Sequence, residues 1–180
     1  DNSIVIKTDS YYRNNIFIRF LSIFFYDIYD RPLSIKKNEI NKTLKSLNKK
    51  DKLISFFKYD FKRKHSSQLI KRINYTGDNQ FLILEGIFSH RLDINYQDTI
   101  NILCEEDKEI CFKRRLKRDK LERGRNFGDV NKKFDKSWSL FYNNINKYLK
   151  GNEVISINPA NKTSYEKLVS NLQIISKENK

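Results

Sequence analysis

The sequence predicts an α/β fold with a mainly parallel sheet, and three observations carry that expectation. Short apolar runs of strand length occur at residues 3–6 (SIVI), 53–57 (LISFF), 81–84 (FLIL), 99–104 (TINILC) and 154–157 (VISI). They alternate with segments whose apolar residues recur at helical spacing, which is the pattern of strand–helix–strand units. Two of the runs lead directly to carboxylates, Asp9 and Glu85, and in open parallel sheets ligands bind beyond the carboxyl ends of the strands. With 180 residues, 38% hydrophobic and 13% aromatic, the chain can bury a core and reads as one domain, 1–180.

Residues 3–6 are apolar and β-branched, as a buried strand requires, and deliver Thr8, Asp9 and Ser10 just past their end. Asp9 either serves a site at the strand tip or, with Ser10, caps the next helix. Residues 16–29 are rich in aromatics and fit a helix or an extended packing segment. Asp30-Arg31-Pro32 ends that segment, because proline restricts the residue before it. Ser34 is expected to cap a helix reaching Leu47, with Ile40, Leu44 and Leu47 four and three apart as its buried stripe. After strand 53–57 come Lys58-Tyr59-Asp60-Phe61 and a basic turn at 62–65, where His65 alone reads as a surface residue. Residues 81–84 form the central parallel strand, continuous and apolar. Glu85 follows, before Gly86. A carboxylate at such a tip is costly unless it is hydrogen-bonded or meets a cation.

In the second half, strand 99–104 runs into Glu105, Glu106 and Asp107, which suit the positive end of a helix dipole. Residues 111–125 (CFKRRLKRDKLERGR) hold eight Lys or Arg against Asp119 and Glu122. Phe112 and Leu116 supply one apolar line, and Gly124 a place for the helix to stop. The expectation is a helix with a thin buried edge that runs into an Arg-Gly-Arg loop. Arginine suits phosphate because its planar fork donates two parallel hydrogen bonds and stays charged. Residues 132–149 read as a helix with Phe134, Trp138, Phe141 and Ile145 in the core. A final strand at 154–157 and an amphipathic helix at 164–175 complete the chain.

A net charge of +14 points to polyanionic partners, either nucleic acid or phosphorylated small molecules. No apolar run approaches the roughly 20 residues of a membrane span, so no membrane partner is expected. Cys104 and Cys111 give no disulfide framework and no metal spacing. They read as buried or semi-buried free thiols in a reducing cytoplasm.

Several stretches, in order, resemble the uridine kinase and phosphoribulokinase family of P-loop kinases. Asp9-Ser10-Tyr11-Tyr12 is similar to its Asp-Ser-Phe-Tyr, Asp30-Arg31-Pro32 to its Asp-His-Pro, and Lys58-Tyr59-Asp60-Phe61 with His65-Ser66 to its Val-Tyr-Asp-Phe…His-Ser. Leu84-Glu85-Gly86-Ile87 matches its Glu-Gly-Ile strand end. Arg114-Arg115-Leu116-Lys117-Arg118-Asp119 followed by Glu122-Arg123-Gly124-Arg125 matches its lid signature, and that spacing is specific. The resemblance implies a three-layer α/β sandwich with an Arg-rich lid at about 114–130. It implies ATP-dependent phosphorylation of uridine or cytidine at the 5′-hydroxyl, in pyrimidine salvage, with Mg²⁺ as cofactor. Asp9 would be the base and lie near Mg²⁺, and Glu85 would hold the Mg²⁺ hydration shell. Asp30, Tyr59 and His65 would contact the nucleoside. Arg115 and Arg118 would approach the substrate and the transferring phosphate, Arg118 as a catalytic residue. Arg123 and Arg125 would grip the triphosphate as the lid closes. The resemblance also suggests a homo-oligomer.

The sequence departs from the family in one large way. The phosphate loop G-x-x-x-x-G-K-[ST] fits none of the five glycines, Gly77, Gly86, Gly124, Gly128 and Gly151. In the family it precedes the strand matched by residues 3–6. The expectation is therefore an upstream segment of roughly thirty residues, the size of a strand–loop–helix unit, and no ATP turnover by the 180 residues alone. Two alternatives stand beside the kinase reading: a basic nucleic-acid-binding module and a catalytically silent kinase-fold partner. Acidic strand tips argue against the first, since they repel phosphate unless a metal intervenes.

Overall fold

The computed structural model describes residues 3–25, 28–61, 63, 65–77, 80–92 and 99–178. Positions 26 and 27 of the aromatic segment and positions 62 and 64 of the basic turn lie outside the described residues. The chain divides into two compact units, Asp1–Asp93 and Ile94–Lys180, and each is built on a parallel strand pair. The fold is α/β with parallel sheets, as the alternation of strands and helices predicts.

In the first unit, β1 (Ser3–Lys7) pairs in parallel with β4 (Phe81–Glu85). Ile6 opposite Leu84 faces the core, where Ile6 is buried, while Val5 opposite Ile83 leaves about half of each side chain exposed. Helix α1 (Ile16–Phe24) is capped by Asn15, whose side chain accepts a hydrogen bond from the backbone of Ile18. That resolves the helix-or-extended choice for this stretch in favour of a helix as far as Phe24. Short 3₁₀ turns at Ile28–Asp30 and Pro32–Ser34 then break the chain where Pro32 predicts a break.

Helix α2 (Lys37–Asn48) buries Ile40, Leu44 and Leu47 as predicted, together with Thr43. It starts later than the sequence suggested. Ser34 does not cap it, because the Ser34 hydroxyl donates to the Arg31 carbonyl (2.7 Å) inside the preceding 3₁₀ turn. Ile35, placed in the helix by sequence, is instead buried in an isolated bridge to Tyr12.

Strand β2 (Leu53–Asp60) runs three residues past the apolar stretch that predicted it and pairs antiparallel with β3 (His65–Arg72). β3 has no counterpart in the sequence reading, which ended at a basic turn. The reason is visible in its composition: HSSQLIKR buries only Ser66, so no apolar pattern marks it. The backbone ladder to β2, from Leu53 opposite Arg72 to Asp60 opposite His65, makes it a strand.

In the second unit, β5 (Ile102–Cys104) pairs in parallel with β6 (Ile155–Ile157), burying Leu103 and Ile157. Both strands are shorter than their apolar runs suggest. Helix α3 (Lys108–Arg123) is capped by Asp107, which accepts from the backbone N–H groups of Glu109 (2.7 Å) and Ile110 (3.3 Å). The acidic cluster thus sits where the helix dipole favours it. Helix α4 (Phe127–Leu149) begins five residues before the predicted start, because Asn126 caps it by accepting from the Asp129 N–H. Phe134 and Ile145 are buried, and Trp138 and Phe141 half-buried. Rings of Phe112, Phe134, Trp138 and Tyr142 follow one another at 5.2, 5.5 and 4.8 Å, joining α3 to α4. Helix α5 (Lys162–Glu178) closes the unit, with Leu168 buried. Cys104 is exposed and Cys111 half-buried, so only Cys111 meets the expectation of a sheltered thiol. Among the described residues no helix is long and apolar enough to cross a membrane.

Candidate functional site

The first unit gathers functional side chains at the carboxyl ends of its parallel strands. β1 and β4 are paired to their last residues, Lys7 opposite Glu85. Past Lys7 the chain enters a 3₁₀ turn, Thr8–Tyr11, which carries Asp9, half-buried, and fully buried Thr8 and Tyr11. Past Glu85 comes Gly86 at φ +143°, a backbone angle that side chains rarely adopt. A Cβ on Gly86 would lie 1.9 Å from the Thr8 hydroxyl oxygen. The absence of a side chain at Gly86 is therefore what lets the two strand ends approach. The strand ends put Asp9 and Glu85 on two adjacent chain segments. Glu85 itself is exposed.

An aromatic cluster lies on the same unit. The Tyr12 ring packs against those of Tyr59 (5.2 Å), Tyr29 (6.0 Å) and Phe61 (6.4 Å). The turn Thr8–Tyr11 is thereby tied to the β2–β3 hairpin. Asp60 opposite His65 closes the hairpin, and Asn14 Nδ2 donates to His65 Nδ1 (3.1 Å) and to the Ser66 carbonyl (3.3 Å). His65, Tyr59 and the Asp9 turn are thus all in the first unit. Asp30 falls in the turn Ile28–Asp30, but its side chain lies outside the described residues.

The turn is also anchored from below. Thr43 has one hydroxyl proton and reaches the Ser55 carbonyl (2.8 Å) and the Glu39 carbonyl (3.0 Å). It therefore accepts from the Tyr11 hydroxyl (3.1 Å). Burial pushes the Tyr11 phenol up, so it stays a donor. Lys36 lies beside the turn. Its ammonium donates to the Ser66 hydroxyl (3.1 Å) and sits 4.5 Å over the Phe57 ring, and burial pulls its pKa down.

The second unit holds the arginines, and the sequence reading did not foresee their arrangement. Asp119 is fully buried near the end of α3, ringed by four guanidinium groups. Arg118 donates to its Oδ1 through Nε (3.1 Å) and Nη2 (3.0 Å), and Arg125 to its Oδ2 through Nη1 (3.0 Å). Arg123 lies 3.4 Å and Arg115 3.8 Å from the same carboxylate. Arg115 also sits 5.9 Å over the Phe134 ring of α4. The Asp119 carbonyl accepts from the backbone N–H groups of Gly124 and Arg125 (3.1 Å), so the same residue closes the helix end. Gly124 takes the left-handed angle, φ +62°, that this closure needs, as its position in the sequence predicts. Burial alone would raise the Asp119 pKa, but Arg123, Arg118 and Arg125 outweigh it and hold the carboxylate below its usual range. Burial and the neighbouring Arg118 in turn lower Arg123.

All four arginines singled out by sequence, Arg115, Arg118, Arg123 and Arg125, thus converge on one group. Sequence reasoning named Asp119 as a charge within the basic run and as a position of the lid signature, and gave it no role. A carboxylate flanked by arginines at −4, −1, +4 and +6 was the available signal. Thr8 was the other omission, and nothing in its local sequence marked it.

The profile of the phosphoribulokinase / uridine kinase family matches residues 26–164. The chain is 31% identical over 161 residues to a uridine kinase of Ureaplasma parvum serovar 3, covering 86% of this chain and 73% of that protein. It is 27% identical over 138 residues to a uridine kinase of Mannheimia succiniciproducens, covering 76% and 62%. It is 27% identical over 137 residues to uridine kinase-like protein 3 of Arabidopsis thaliana, covering 74% of this chain and 28% of that protein. The chain thus spans under a third of the Arabidopsis protein and nearly two thirds of the Mannheimia one.

Proposed function

The chain belongs to the phosphoribulokinase / uridine kinase family, and on that premise we propose that it carries the acceptor-binding and lid portions of a nucleoside kinase. The reaction is transfer of the γ-phosphoryl group of ATP to the 5′-hydroxyl of uridine or cytidine. The observation that supports this most directly is the closure of Gly86 on Thr8 at the ends of paired β1 and β4. It sets Asp9 and Glu85 on neighbouring segments where a parallel sheet presents its ligands.

In this reading Asp9 accepts the proton of the nucleoside 5′-hydroxyl as its oxygen bonds to the γ-phosphorus. The bond from that phosphorus to the β–γ bridging oxygen breaks, and ADP leaves. Such a transfer needs alignment and charge neutralisation more than covalent help. Tyr59, half-buried and backed by the buried Tyr12 ring, contacts the nucleoside together with Asp30 and His65. Arg115 and Arg118 meet the transferring phosphoryl oxygens, and Arg123 and Arg125 the rest of the triphosphate.

The donor set suits Mg²⁺. Asp9, Glu85 and the buried Thr8 hydroxyl, which has no hydrogen-bond partner among the described residues, are hard oxygen ligands. Among the described residues no three His, Cys, Asp or Glu gather as a metal cage. A magnesium ion that keeps waters and phosphate oxygens as ligands needs only one or two carboxylates. When bound, it neutralises charge on the triphosphate. The protein then acts in cytoplasmic pyrimidine salvage, as a homo-oligomer, with no membrane or nucleic-acid partner.

None of the 180 residues forms the glycine-rich phosphate loop, so turnover requires that loop from the same polypeptide or a supplied one. The test is UMP and CMP formation from Mg-ATP, by this chain and by a chain joined at its N-terminus to a phosphate-loop segment of a family member. The expected result is product only from the joined chain. No nucleoside-dependent ATP consumption by the joined chain, with its fold intact, rejects the kinase reading. Substantial turnover by the 180 residues alone rejects the requirement for the loop.

A further inference from the structure

The arginine cluster of the second unit is organised around a charge of the wrong sign for phosphate. A carboxylate repels a phosphate chain, so an anion site would be expected to exclude one. Yet Asp119 lies within 3.0–3.8 Å of all four arginines named above, and it is fully buried. Its place near the C-terminal end of α3 is also one where the helix dipole disfavours an acid.

The geometry shows what the carboxylate accomplishes. Four guanidinium groups at the end of one helix repel one another, and without a shared anion their side chains spread into solvent. Asp119 draws Arg115 and Arg118 from the helix and Arg123 and Arg125 from the helix end to within 3.0–3.8 Å of its two oxygens. Its carbonyl fixes the Gly124–Arg125 backbone at the same time. The hydrogen bonds to Asp119 engage Arg118 through Nε and Nη2 and Arg125 through Nη1. Each guanidinium carries five N–H donors, so both retain donors for a second anion. The four arginines exceed the one carboxylate by three positive charges. About half of the Arg118 side chain and a third of Arg125 are exposed, whereas Arg115 and Arg123 are mostly covered.

We propose that Asp119 is a positioning residue whose buried carboxylate keeps these four arginines assembled as a ready-made receptor for a polyphosphate. An incoming phosphate chain then shares guanidinium groups already in place, with Arg118 and Arg125 as its first contacts. The inference rests on the phosphate-binding reading of the arginines given above. It assigns the charge of Asp119 the opposite consequence from simple electrostatics.

That opposition is the test. Inorganic triphosphate is titrated calorimetrically into the 180-residue chain at fixed ionic strength, with Asp119→Asn, Asp119→Glu and Glu122→Gln beside it. Asp119→Asn and Glu122→Gln add the same net charge to the same helix, and Glu122 is exposed. Charge alone predicts tighter triphosphate binding by both. Pre-assembly predicts Glu122→Gln equal to or tighter than the parent and Asp119→Asn weaker by roughly tenfold, inside the range of about 5- to 150-fold for coupled sites. Asp119→Glu falls between Asp119→Asn and the parent. If Asp119→Asn loses the helical signal, Asp119→Glu decides, since it keeps the charge but moves the carboxylate by one methylene. Asp119→Asn binding as tightly as Glu122→Gln overturns the inference alone, as does Asp119→Glu equal to the parent when Asp119→Asn is unfolded. A folded parent chain that binds no triphosphate overturns the phosphate reading of the cluster and the inference with it.

Discussion

The two units place their charged groups by different physical means. In the first unit the backbone does the placing. Parallel register sets Lys7 opposite Glu85, and the close approach of Gly86 to Thr8 brings the next segments together. In the second unit side-chain electrostatics do it: one buried carboxylate gathers four arginines that the helix alone would fan apart. The lesson is that acids are held by covalent connection to a sheet, and cations by a counter-charge. The first arrangement is expected to fail on changes of shape more than of charge, and the second to fail when its charge is removed.

The largest expected effect comes from the acid of the first unit. In a chain competent for turnover, Asp9→Asn should lower kcat by about 10²–10⁴-fold, the usual contribution of a general base, while nucleotide still binds. Steady-state kinetics with a separate nucleotide titration checks this, and an unchanged kcat removes the base assignment. The same substitution should leave the melting temperature close to the parent's, because the sheet and not the charge holds that region.

Shape comes next. Gly86→Ala should destabilise the chain by about 3–5 kcal/mol, from the strained positive φ and the collision with Thr8. Denaturant unfolding measures it. A Thr8→Ala background should recover about 1–2 kcal/mol of that if close approach is the main term. Absence of any recovery would assign the whole cost to the backbone angle.

Charge should dominate in the second unit. Asp119→Asn is expected to cost about 2–4 kcal/mol, discounted from the value for a buried ion pair because its arginine partners are partly exposed. The pH dependence follows from the lowered folded pKa of Asp119. Its contribution is fully present above the ordinary carboxylate pKa of about 3.9 and is lost as pH falls through the folded value. Acid should therefore destabilise the parent more steeply than Asp119→Asn below about pH 4. Parallel acid-unfolding curves would break the contrast between the units. The smallest effect expected is at a cap: Asn126→Ala should cost about 1 kcal/mol, with α4 fraying at its first turn in hydrogen exchange.

Legibility in the sequence followed burial. The stripe Ile40, Leu44, Leu47 announced itself because apolar periodicity and a buried face are the same fact, while the strands at 3–6 and 81–84 were found from their apolar runs although, of those residues, only Ile6 is buried. Asp107 and Gly124 were legible because cap chemistry is local. β3 was not legible: its side chains point mostly to solvent, and its partner strand supplies the structure. Ser34 misled because the same residue type serves a helix cap and a 3₁₀ turn, and Pro32 decided between them. Among site residues, the four arginines and the tips at Asp9 and Glu85 came from motif spacing. The roles of Asp119 and Thr8 emerged only when contacts replaced spacing.

What the sequence determined by itself is therefore the kind of molecule this is. Alternating strand and helix periods, two acidic strand ends and one arginine-dense helix are properties of neighbours along the chain, and short-range physics reads them. What only the tertiary structure decided is which groups meet. Gly86 against Thr8 is a contact between residues far apart in the chain, and Phe134 of α4 meets both Phe112 and Arg115 of α3. Close approach and burial arise between segments, so no local pattern can carry them, whereas the arginines around Asp119 are its neighbours along the chain.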